Sequence, residues 1–102
     1  MREADYSLLE LQLKKYITNQ EHLDTIKDAF HYAQRMHEGQ MRRSGDPYIV
    51  HPLDVAITLS EYHTDPTTII AGLLHDTIED TDATYEDIKD LFGEEVALIT
   101  EG

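Results

Sequence analysis

The chain has 102 residues, no cysteine and a formal charge of −13, from 8 basic and 21 acidic side chains. That length holds one domain with a modest core, and so acidic a surface excludes non-specific binding to nucleic acid or to an anionic membrane. Without thiols there is neither a disulfide framework nor a thiolate metal site, so any transition metal must be held by His and carboxylates.

No run of about 18 apolar residues is present to cross a membrane. The opening Met1-Arg2-Glu3-Ala4-Asp5 also lacks the charged-then-apolar plan of a secretory signal, which places the protein in the cytoplasm. The first predicted helix covers about 5–18, with Leu8, Leu9, Leu11, Leu13, Tyr16 and Ile17 on a broad apolar face and Asn19 as its stop. A second, about 21–38, repeats Leu23, Ile26, Phe30, Ala33 and His37 at spacings of three and four, and Gly39 ends it. This periodicity puts His37 in the core or at its rim, as a histidine bonded to backbone.

Arg42-Arg43-Ser44-Gly45-Asp46-Pro47 reads as a turn, because Gly and Pro supply unusual backbone angles and Ser and Asp bond back to nearby amides. Pro52 falls in the first turn of a helix running to about Tyr62, and Asp65-Pro66 opens the next with Asp65 as its cap. Ile69 to Leu74 is apolar on all sides, which suits a central buried helix; a buried strand is the alternative its β-branched start allows. Thr84, with Asp87 three residues on, forms a capping box before a short helix ending at Phe92-Gly93, and a last helix starts at Glu94. No segment alternates as a strand does. The expected architecture is an all-α bundle of about five to six helices.

Chemistry concentrates in one span. His75-Asp76 is followed by Glu79-Asp80 and preceded by His51 in Tyr48-Ile49-Val50-His51-Pro52. If the helix continues through 75–80, His75 stacks under Glu79 and Asp76 under Asp80, while the adjacent His75 and Asp76 diverge by about 100° yet can still meet at one ion. Imidazole mixed with carboxylate suits Mn, Fe or Zn better than Mg. Read alone, His51 caps the next helix or bonds a carbonyl, and the acids form a solvated helix end. Read together, directly after a stretch that must be buried, they form a metal site. Arg35, Arg42 and Arg43 against Glu38 and Asp46 leave residues 35–51 at +1 and the rest of the chain at −14, so a small anion has a place there. His22, His31 and His63 lack partners at metal spacing and are read as surface residues.

Three motifs, His37-Glu38-Gly39-Gln40, Arg42 through Pro52, and Gly72-Leu73-Leu74-His75-Asp76-Thr77-Ile78-Glu79-Asp80-Thr81, together resemble the hydrolase domain of RelA/SpoT homologues, which belong to the HD-type metal-dependent phosphohydrolases. The resemblance runs from about Tyr16 to Gly102 and implies an HD helical bundle that removes 3′-pyrophosphate from the alarmone (p)ppGpp with Mn²⁺, or with Fe²⁺ or Zn²⁺ in its place. By it, His51, His75 and Asp76 fall on metal-ligand positions. Glu79 and Asp80 match the acidic pair that handles the attacking water, and Arg42, Arg43, Ser44 and Tyr48 match the loop that meets the guanine nucleotide.

The family's fourth ligand, an Asp on a later helix, is not reached. The amphipathic ending Ala97 to Gly102 reads as a cut, so the chain is expected to be the N-terminal part of such a domain, weak in metal binding and turnover, with an uncovered apolar face open to self-association. The leader through Lys14-Lys15-Tyr16 and Glu21 resembles the long members, which join the hydrolase to a (p)ppGpp synthetase, or GTP pyrophosphokinase. Two other readings are a non-catalytic interaction module of the same fold, and an HD phosphohydrolase of another nucleotide.

Overall fold

The computed structural model describes residues 4–101. Met1, Arg2 and Glu3, which open the segment read above as no signal, and the terminal Gly102 lie outside the described residues. Seven helical segments follow one another: α1 (Tyr6–Leu13), α2 (Gln20–Met36), α3 (Val50–Glu61), α4 (Pro66–Leu74), α5 (Thr77–Asp80), α6 (Tyr85–Phe92) and α7 (Glu94–Glu101). The all-α expectation holds: among the described residues only an isolated antiparallel bridge, Met41 with Pro47, resembles a sheet. The count exceeds five to six because α4 does not continue through 75–80, and α5 is a separate four-residue turn.

Helix ends follow side-chain chemistry. Asp5, Asn19, Asp65 and Thr84 each accept a bond from a backbone amide at the start of α1, α2, α4 and α6, supplying partners for donors that helices leave unsatisfied. Asn19 therefore begins α2 rather than stopping α1. The first helix ends earlier than expected, at Leu13, and a turn carries Ile17 back into the core beside Leu9 and Leu13. Leu8 and Leu11 remain on the outside, 51% and 64% exposed, so the broad apolar face narrows to one stripe. Thr84 and Asp87 form the reciprocal capping box.

The centre of the molecule is α4. Ile69, Ile70, Ala71, Gly72, Leu73 and Leu74 are all buried, and α4 packs against α2, α3 and α7. Burial of each large aliphatic side chain here contributes roughly 1.5–3 kcal/mol. Gly72 lets α3 approach closely, because a Cβ built on it would stand 2.7 Å from Leu59 Cδ1 and 3.6 Å from Val55 Cγ1. That closeness locks the middle and later part of α3 against the end of α4. At the outer edge, Leu91, Leu98 and Ile99 on α6 and α7 are 58%, 54% and 48% exposed.

Gly72→Val puts a branched side chain into the α3–α4 contact and is expected to cost about 1–3 kcal/mol in urea unfolding; an unchanged midpoint would show that Leu59 yields freely. The Asp65 carboxyl is held below its usual 3.8 by the bond it accepts from Thr68. A lowered folded-state value stabilises the protein above the unfolded value and loses that effect as pH falls through the folded one. Asp65→Ala should therefore cost about 1 kcal/mol at neutral pH, with the difference in stability shrinking as the solution is taken below the ordinary carboxylate range.

Candidate metal centre

The break after Leu74 builds the site. A helix end leaves its last carbonyls without partners, and here side chains take them. The His75 ring donates from Nδ1 to the Gly72 carbonyl at 2.6 Å, the buried Thr77 hydroxyl donates to the Leu74 carbonyl at 2.8 Å, and the Thr81 hydroxyl donates to the Thr77 carbonyl at 2.6 Å. Asp76 occupies the N-cap position of α5, yet its side chain caps nothing. Its carboxylate turns instead to the histidines.

The bond to Gly72 commits Nδ1 of His75 as the donor and leaves Nε2 as the free ligand atom, the arrangement that orients metal-binding imidazoles. His75 Nε2 lies 3.1 Å from Asp76 Oδ2, and His51 Nε2 lies 3.6 Å from the same oxygen. Rings of His51 and His75 meet edge-on with centroids 5.4 Å apart. One donor atom from each of His51, His75 and Asp76 falls within 4.8 Å of the others. Bonds of about 2.1 Å to a central ion bring ligand atoms to roughly 3–3.5 Å from one another, so the donor set fits a divalent cation with small side-chain adjustments. The side chains are partly open, 38%, 34% and 20% exposed, which leaves room for water or substrate at the remaining positions.

Tyr48 joins this centre to the basic turn. Its hydroxyl donates to Asp76 Oδ2 at 2.7 Å and lies 3.4 Å from Asp80 Oδ2. Burial, followed by the bond to Asp76 and the charges of Asp76 and Asp80, pushes the phenol well above its ordinary value, so it remains a donor at all ordinary pH. On its other side Tyr48 lines a cavity of about 530 Å³ with Met41, Arg42, Arg43, Ser44 and Asp46. Ser44 donates to Asp46, and Gly45, at φ +88°, turns the chain back so that its amide reaches the Arg42 carbonyl. Arg42, Arg43 and Ser44 are exposed.

The structure thus gathers His51, His75, Asp76, Tyr48 and Asp80. Glu79 is exposed on α5, and among the described residues no hydrogen bond or ion pair draws it to the centre. Among the described residues no amide hydrogen bond runs from Glu79 back to His75, while Asp80 keeps its place one turn from Asp76 through the bond from its amide to the Asp76 carbonyl. Two residues without an assigned role lie against the site. His37 is buried as expected, but its Nδ1 faces the Gln40 side chain at 3.1 Å rather than backbone, and Gln40 donates to the Asp80 carbonyl at 2.7 Å. No periodicity marks Gln40, because its partner is 40 residues away in the chain.

A helical bundle holding two imidazoles and a carboxylate around one point defines a divalent-metal-binding protein of the His-Asp type. Residues 29–102 match the model of the HD domain family, and the chain belongs to that family. HD domains bind a divalent metal, and the residues to hold one are present here. The chain is 50% identical over 95 residues to guanosine-3′,5′-bis(diphosphate) 3′-pyrophosphohydrolase of Aquifex aeolicus, covering 92% of this chain and 14% of that protein. It is 46% identical over 91 residues to the bifunctional (p)ppGpp synthase/hydrolase SpoT of Escherichia coli, covering 89% and 13%. With a GTP pyrophosphokinase of Myxococcus xanthus it shares 55% over 80 residues, 78% of this chain and 11% of that protein. Among solved structures it is similar to a metazoan ortholog of SpoT that hydrolyzes ppGpp, with TM-score 0.71 and 36% identity, over 76% of this chain and 46% of that one. The resemblance to RelA/SpoT homologues is borne out by these relatives, and the chain spans about one seventh or less of the length of the three bacterial ones. Among the described residues no helix is long and apolar enough to cross a membrane.

Tyr48→Phe removes the donor to Asp76 and keeps the ring. Losing a bond that orients a ligand typically weakens metal affinity by about 10–100-fold, and the lower part of that range is expected in calorimetric titration with Mn²⁺. Wild-type affinity would mean that Asp76 needs no such support.

Proposed function

We propose that this chain forms the metal-binding part of a cytoplasmic (p)ppGpp 3′-pyrophosphohydrolase that works with Mn²⁺, within a protein that also carries a (p)ppGpp synthetase. The observation that carries this reading is the meeting of His51, His75 and Asp76 beside a cavity lined by Arg42 and Arg43. The activities of the relatives supply the substrate class.

His51, His75 and Asp76 hold the cation, which when bound supplies Lewis acidity toward phosphate oxygens and toward water. Asp80 and Glu79 take the proton of the attacking water and steer it. The water oxygen joins the phosphorus attached to the ribose 3′ oxygen, the bond between them breaks, and pyrophosphate leaves while the 3′ oxygen regains a proton. Tyr48 holds Asp76 and Asp80 in register and forms a wall of the nucleotide cavity. Arg42 and Arg43 offer fork-shaped donors to phosphate or a flat cation to the purine, and Ser44 adds a hydroxyl. A chain of charge −13 repels its own polyanionic substrate, so these two arginines matter more here than on a neutral surface.

Phosphorus NMR of the full-length protein with ppGpp and Mn²⁺ tests the reading. The expected result is release of pyrophosphate, abolished by Asp76→Asn together with a drop of at least about tenfold in Mn²⁺ affinity. Hydrolysis of ordinary nucleotides with ppGpp left intact would move the substrate elsewhere, and a silent Mn²⁺ titration would make the chain an interaction module.

A further inference from the structure

Gln40 lies half-buried between α2 and α3 and reaches across to the end of α5. Its side chain can be oriented by chemistry alone. The Asp80 carbonyl only accepts, so the amide nitrogen must face it, at 2.7 Å, and the amide oxygen must face His37 Nδ1, at 3.1 Å. The proton of His37 is then on Nδ1. Its Nε2, buried and without a partner, remains a lone pair. The backbone of Gln40 is tied as well: its amide donates to the His37 carbonyl, and its carbonyl accepts from the Tyr48 amide, both at 2.9 Å. The ring of His37 lies against that of Tyr48, with centroids 4.7 Å apart.

These bonds converge on a weak element. A four-residue helix has almost no stability of its own, because nucleation is costly and few bonds follow it. Asp80, the last residue of α5, is exposed, so packing does not hold it. Among the described residues, the backbone turn back to Asp76 and the Tyr48 hydroxyl, 3.4 Å away, are what locate its carboxylate apart from Gln40. Gln40 holds Asp80 itself through its side chain and Tyr48, one of its supports, through its backbone.

We infer that Gln40 is a positioning residue that fixes the Asp80 carboxylate relative to the metal ligands, with His37 holding the Gln40 amide in the orientation that does so. This rests on the reading that Asp80 manages the proton of the attacking water. A purely structural Gln40 would affect stability and metal binding together; a positioning Gln40 affects the chemical step.

The test uses the full-length protein with two substitutions. Gln40→Met keeps the length and removes every polar atom. Gln40→Glu keeps the acceptor for His37 but sets an oxygen against the Asp80 carbonyl. Both should lower kcat by about 10–100-fold while KM and the Mn²⁺ Kd stay within about threefold of wild type. Amide hydrogen exchange over residues 79–83 should accelerate by about tenfold or more, with α4 unchanged. Wild-type kcat and exchange in either folded variant would overturn the inference, as would a Mn²⁺ affinity that falls in step with kcat. If the wild-type protein itself leaves the nucleotide intact, the functional reading falls, and the exchange rates still decide whether Gln40 holds α5.

Discussion

The structure depends on how the end of a buried helix disposes of its carbonyl groups. α4 is apolar around its whole circumference and sits at the centre of the bundle, so where it stops, it stops beside other protein rather than in water. An unpaired carbonyl there costs about 1–3 kcal/mol. His75 and Thr77 take the Gly72 and Leu74 carbonyls with their own side chains, Thr81 adds its hydroxyl to the Thr77 carbonyl that its amide already bonds, and Gln40 takes the carbonyl at the end of α5. The same bonds that close the helix aim the chemistry. In particular, the His75 nitrogen that satisfies Gly72 determines which nitrogen is left for a ligand.

Charge sets a second requirement. Asp76 Oδ2 lies within 3.6 Å of two imidazole nitrogens, and Asp80 approaches the same tyrosine as Asp76. With Nδ1 of His75 occupied by a donor bond, the short approach of its Nε2 to a carboxylate sets lone pair against lone pair unless a proton or a cation lies between them. In a chain that already carries −13, a divalent cation held by His51, His75 and Asp76 would relieve that repulsion. The basic turn carrying Arg42 and Arg43 shares with Tyr48 the lining of one cavity, and under the proposed function this is where the anionic ligand would be met.

Much of this was legible in the residues. Caps at Asp65 and Thr84, the buried run from Ile69 to Leu74 and the stop at Gly93 rest on local rules that tertiary structure did not override. The approach of His51 to His75-Asp76 could be read from the resemblance of three motifs in order, although the residues alone left a capping histidine and a solvated acidic run as alternatives. Asn19 was misread because a short polar residue stops one helix and starts another with equal ease. Whether the helix continued through 75–80 stayed open in the sequence because nothing in its composition forbids a helix; side-chain bonds from His75 and Thr77 to carbonyls accompany the break. Gln40 stayed hidden for a related reason: its partner is a backbone atom, which no residue type announces.

The central claim is that His51, His75 and Asp76 share one divalent cation. Anomalous diffraction at the manganese edge from crystals of the protein grown with Mn²⁺ tests it most directly. The account predicts a peak at bonding distance, about 2.0–2.3 Å, from His51 Nε2, His75 Nε2 and an Asp76 carboxylate oxygen. No peak there at saturating Mn²⁺, or one held by other side chains, would contradict it.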